Sequence, residues 1–145
     1  MPSLVTERIE SVKAGLIGAI AFTLASLVLL IVQGLVSDLI LKLTTNFVGV
    51  ISWISAIQLA IGAVSGFLFG VTYRYIIRSD RNSHLQDGAV LAFGLVRGLA
   101  LVERNLVLSE LLSLAGLVLQ SIVCFAIARL ILDLAIARKL IKPFI

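Results

Sequence analysis

Apolar residues in this chain come in long runs instead of the stripes that mark one face of a surface helix. Residues 14–37, 48–73 and 114–137 are almost continuously apolar, so a helix formed there is hydrophobic around its whole circumference. Each run exceeds the ~20 residues needed to cross ~30 Å of hydrocarbon. A fourth run is shorter: it starts at Gly88, contains Arg97, and meets Glu103 and Arg104 after Val102. Those 15 residues would span only about 22 Å as a helix, so the fourth run is expected to continue to Leu108. The pattern therefore predicts an all-α, polytopic membrane protein of about four transmembrane helices, spanning 14–37, 48–73, 88–108 and 114–137 in a single domain. Residues 2–13 place Val5, Ile9 and Val12 on one helical face, as a short interfacial helix or an extension of the first span would.

Composition agrees with a lipid environment. Hydrophobic residues make up 60% and charged residues 14% of the chain, against ~25% charged in a typical soluble domain. The net charge of +4 comes from basic residues that flank the apolar runs, which suits anionic lipid headgroups and gives no separate face for nucleic acid. Arg8, Lys13, Arg74, Arg78, Arg81, Arg138, Lys139 and Lys142 would share one side of the membrane, and only Lys42 and Arg104 the other. By the positive-inside rule this predicts an antiparallel bundle with both termini cytoplasmic. The first run is longer than a signal-peptide core and is preceded by Glu7 and Glu10, so it is expected to be retained.

The connections carry fewer signals. Residues 78–87 form the most polar segment, with Asp87 as the expected N-cap of the third span and His84 as a solvated loop residue. Residues 38–47 and 103–113 are apolar enough to lie in the headgroup interface or to extend the spans. Phe47 with Trp53, and Tyr73 with Tyr75, mark the two ends of the second span as an aromatic belt would. Cys124 is the only cysteine, so neither a disulfide framework nor a cysteine metal cluster is expected. No cofactor is expected either.

Two groups of intramembrane residues stand out. Gly62, Gly66 and Gly70 form a row on one face of the second span, and Gly94 with Gly98 repeat it on the third. Glycines at that spacing let helix backbones approach closely, within the chain or with a partner. Arg97, Arg129 and Asp133 are costly in hydrocarbon and normally face protein or a polar cavity. Arg129 and Asp133 sit i, i+4, so they can pair within one helix. Counted from the expected span ends, Arg97 and Arg129 lie at one level, which predicts that Asp133 bridges both and leaves one positive charge for an anion. Gln33, Gln58 and Gln120 are expected to hydrogen-bond between helices.

The run Arg74-Tyr75-Ile76-Ile77-Arg78-Ser79-Asp80-Arg81-Asn82, continuing to Ala92-Phe93-Gly94-Leu95-Val96-Arg97-Gly98-Leu99, resembles small uncharacterised membrane proteins of cyanobacteria. The resemblance implies a thylakoid or bacterial inner-membrane location and brings no activity or site residue. Gly66-xxx-Gly70-xxx-Arg74-Tyr75 is similar to a motif of small four-helix fluoride channels, but it falls on the second span and lacks the Thr-Thr-Phe-Ser-like stretch that follows in that family. Small multidrug exporters need a glutamate in the first span, where residues 14–37 have none. The loop residues Arg78, Arg81 and Asn82 do not match the spacing of four-helix glutathione-dependent enzymes. With no Ser-His-Asp set, paired catalytic carboxylates, HExxH or phosphate loop, the expected role is non-enzymatic. The chain would pack with other membrane helices, as a homo-oligomer or as an accessory, assembly or structural component of a membrane complex. The alternative is a small homo-oligomeric transporter or channel built on Arg97, Arg129 and Asp133.

Overall fold

The computed structural model describes residues 4–41, 53–77, 83–104 and 111–142. They form four helices: α1 Leu4–Leu41, α2 Trp53–Ile76, α3 Ser83–Arg104 and α4 Leu111–Ala137. Within them, Leu4–Val36, Ala56–Ile76, Ser83–Glu103 and Leu114–Ala137 are each long and apolar enough to cross a membrane, which is the build of a polytopic membrane protein.

Two boundaries refine the pattern in the sequence. Helix α1 runs without a break from Leu4, as an extension of the first span does, and Glu10 and Ser11 are buried in the bundle. Helix α3 starts before the apolar run: it begins at Ser83, and Asp87 lies inside it instead of capping it. Asp87 and Gln86 are accommodated there because both accept hydrogen bonds from Arg129. The proposed continuation from Asn105 to Leu108 falls outside the described residues, as do Phe47 and most of the 38–47 connection.

Helices α1 and α2 share the largest interface, α3 and α4 the next, and α1 with α4 joins the two pairs; α2 meets α3 only sparsely. The α1–α2 contact is backbone against backbone. A Cβ atom on Gly70 would lie 2.3 Å from the carbonyl oxygen of Ala14, and one on Gly18 would lie 2.4 Å from that of Gly66. Gly94 and Gly98 bring α3 onto α4, where a Cβ would sit 2.8 Å from the Cα of Ile122 and 2.7 Å from that of Val118. Close packing of this kind is what holds helices together in lipid, where the solvent is as apolar as the side chains.

One phenylalanine from each helix fills the middle. Phe22 and Phe125 have ring centroids 4.6 Å apart, Phe69 and Phe125 5.1 Å, and Phe69 and Phe93 5.4 Å, within the range where tilted aromatic pairs attract. Large aliphatic residues such as Leu16, Ile20, Leu24 and Val96 point outward, as a lipid solvent permits.

The C-terminal segment is tied down by its own cap. Lys139 has φ 59°, its N–H bonds to Ile136 O, and the N–H of Leu140 reaches Ala135 O. This pair of bonds is a Schellman motif with lysine in the left-handed position usually taken by glycine. It turns the chain so that Ile141 is buried, with 1% of its surface exposed.

Candidate functional site

Charged side chains collect in two places. The first is the end of the bundle where α2 finishes. Arg74 is the largest fully buried side chain among the described residues, 1% exposed. Its Nη2 donates to Glu7 Oε2 at 2.5 Å, its Nη1 to Ser11 Oγ at 2.6 Å and Glu7 O at 3.0 Å, and its Nε to Lys142 O at 2.9 Å. The backbone N–H of Lys142 in turn donates to Glu10 Oε2 at 3.1 Å, and Lys13 Nζ donates to Glu10 Oε1 at 2.9 Å. One guanidinium therefore clamps the start of α1, the end of α2 and the C-terminal turn. A planar fork with five fixed donors suits such a convergence of acceptors, where a lysine would act as a point charge.

Beside it lies a second chain of polar contacts. Tyr73 is buried, and its hydroxyl donates to Asp133 Oδ1 at 2.6 Å, so it is a core residue and not part of an aromatic belt. Asp133 Oδ2 is 3.7 Å from Arg129 Nε, and Arg129 also donates to Asp87 and to Gln86 Oε1. Asp133 and Arg129 thus link α2, α3 and α4. His84 lies in the first turn of α3 and not in a loop.

Arg97 belongs to neither group. Gly94 faces Ile122 and Gly98 faces Val118, which sets Arg97 level with Leu119. That is ten residues from Arg129, or about 15 Å at helical rise. The expected bridge from Asp133 to both arginines does not exist. The expectation of one level failed because α3 starts earlier than Gly88, and Asp87 takes Arg129 near the first turns of that helix.

Arg97 turns into the bundle. Its Nη2 donates to Gln58 O at 3.2 Å, its Nη1 reaches Ser65 Oγ at 3.4 Å, and its Cζ lies 5.0 Å from the centre of the Phe22 ring. Gly62 makes the space, since a Cβ there would lie 3.1 Å from Nη2 and 3.0 Å from the Phe22 ring. The glycine row thus has two jobs: Gly66 and Gly70 admit α1, and Gly62 admits the guanidinium. Among the described residues no carboxylate comes within salt-bridge reach of Arg97. A cation at a helix centre costs ~2.5–3.5 kcal/mol on insertion scales, and a carbonyl, a hydroxyl and a ring face offset only part of it.

This guanidinium stands in the wall of a cavity of about 550 Å³ along the α2–α3 seam, lined otherwise by apolar residues with Gln58 and Ser65. Ile61, Leu68 and Val96 on its margin are exposed, so the seam opens sideways. The other polar contacts are modest. Gln33 Nε2 donates to Gln120 Oε1 at 3.0 Å between α1 and α4, and buried Cys124 lies 3.6 Å from Ser26 Oγ. No group of three metal-ligating side chains is present among the described residues.

No protein-family model, curated protein or solved structure matches the chain.

The sequence pattern missed this role of Arg74, reading it only as one of the basic residues that flank the apolar runs. A signal was present: Arg74 continues the i, i+4 row of Gly62, Gly66 and Gly70, so whatever helix that row meets, Arg74 must meet too. Glu7 and Ser11 near the start of α1 were the matching partners.

Proposed function

We propose that this chain is a non-enzymatic integral membrane protein that recognises an anionic group inside the bilayer, and serves as an accessory or assembly component of a larger membrane system. The observation that carries this reading is Arg97, a cation without a carboxylate partner among the described residues, directed into an open apolar seam. The Arg74 and Arg129 networks are already matched within the chain and read as structural. In this reading the helices form an antiparallel bundle with both termini cytoplasmic, since the basic excess gathers at the Arg74 end. The membrane is a bacterial inner membrane or a thylakoid. Transport through one cluster of Arg97, Arg129 and Asp133 loses its support, because about 15 Å of helix separates Arg97 from Arg129.

Extraction of the native membrane in mild detergent tests this. The parent chain, 15.5 kDa, is expected to carry a bound component, lipid-like or protein, that is lost in Arg97→Met and retained in Arg129→Met. Equal retention in both variants would remove Arg97 as the recognition element.

A further inference from the structure

Resting on that reading of Arg97, we infer that the α2–α3 seam binds a single-chain amphiphile with a carboxylate head, such as a long-chain fatty acid. The head pairs with Arg97 and the chain lies along Ile61, Leu68, Ala92 and Val96.

Size and lining bear first on the class of ligand. The seam residues on α2 run from Gln58 to Leu68, about 15 Å at helical rise. The cavity holds about 550 Å³, in the ~300–1,000 Å³ range of small-ligand sites, which are likewise apolar with a few placed polar groups. An extended hydrocarbon chain is narrow enough for it, and any remainder passes into lipid through the open side.

Charge and depth then select the head. Arg97 uses two of its five donors on Gln58 O and Ser65 Oγ, and a carboxylate can take a parallel pair from those that remain. The guanidinium is held inward by Gln58, Phe22 and the space at Gly62, instead of snorkelling to an interface. Arg97 lies six residues from Glu103 on α3, about 9 Å. That is deeper than the phosphate of a diacyl lipid normally sits, whereas a carboxylate on one chain has no second chain to bring with it.

The test is equilibrium binding of radiolabelled hexadecanoate to the purified full chain in dodecyl maltoside, with hexadecanol and dioleoylphosphatidylglycerol as competitors. One hexadecanoate per chain is expected, with hexadecanol at least tenfold weaker and the phospholipid a poor competitor. Arg97→Met should weaken binding at least tenfold, Ala92→Phe should weaken it by filling the seam while leaving the charge, and Arg129→Met should bind as the parent does. Equal competition by hexadecanol would overturn the inference, as would parent-like binding by Arg97→Met. Effective displacement by phosphatidylglycerol would assign the site to a lipid phosphate instead. A protein partner lost from Arg97→Met, with no hexadecanoate bound to the parent, would overturn the amphiphile and leave recognition by Arg97 intact. Absence of both would overturn the two together.

Discussion

Arg74→Met is expected to be the most damaging single substitution outside the aromatic core. The side chain is 1% exposed, and its loss leaves Glu7 without its cationic partner and the Lys142 carbonyl without a donor. Removing one partner of a buried pair costs ~3–5 kcal/mol, much more than removing the pair together. The variant should therefore unfold at a markedly lower temperature in detergent, and its C-terminal turn should become accessible to carboxypeptidase. Arg74→Lys should rescue little, because one ammonium cannot serve Glu7, Ser11 and the Lys142 carbonyl in the directions that the fork reaches. Adding Glu7→Gln to Arg74→Met should recover part of the loss. Thermal unfolding of the four proteins, followed by intrinsic fluorescence, checks all of this. An Arg74→Met protein as stable as the parent would show that the clamp contributes nothing.

Gly70→Leu should be comparably severe for a different reason. Even the first atom of a side chain at this position would fall 2.3 Å from Ala14 O and 2.9 Å from Ala14 C. Those are backbone atoms, so no rotamer change relieves the clash and α1 must move away from α2. Overpacking of a well-packed site costs ~1–3 kcal/mol when side chains can adjust, and this rigid interface should lie at or above the upper end. Gly88→Ala and Gly116→Ala are the internal comparison, because nothing lies within 4 Å of a Cβ at either position. In helices, alanine there should be neutral or stabilising by up to ~1 kcal/mol. Melting curves of the three variants should separate by direction as well as by size, and a Gly70→Leu protein that melts with the parent would mean that α1 and α2 do not meet there.

The contrast between these residues shows what the sequence makes legible. The number and approximate extent of the helices follow from local hydrophobicity, because lipid demands apolar residues around the whole circumference. The glycine rows were equally visible, since spacing along one helix is a local property. Which helix each row meets was not visible, because small residues at i, i+4 occur on more than one helix, such as Ala14 and Gly18 on α1, and spacing alone does not pair them. Depth was the least legible quantity. Counting from span ends places Arg97 and Arg129 at one level, and the count fails because α3 begins at Ser83, before its apolar run, and Arg129 meets Asp87 near that end. The inward turn of Arg97 depends on Gly62 and Phe22 from two other helices, a tertiary arrangement that no single segment encodes. The burial of Ile141 likewise follows from a left-handed lysine, which the sequence gives no reason to expect.

If Arg97 serves recognition and not folding, function and stability must separate at that residue. The direct measurement is the thermal stability of ligand-free Arg97→Met in detergent, made alongside its content of bound component after mild extraction. Methionine keeps much of the side chain's length and removes a charge that has no carboxylate to balance it among the described residues, so the variant should melt at or above the parent's temperature while losing what the parent carries. A variant that melts well below the parent, as Arg74→Met is expected to do, and still retains the same bound component would contradict the assignment and make Arg97 a structural residue.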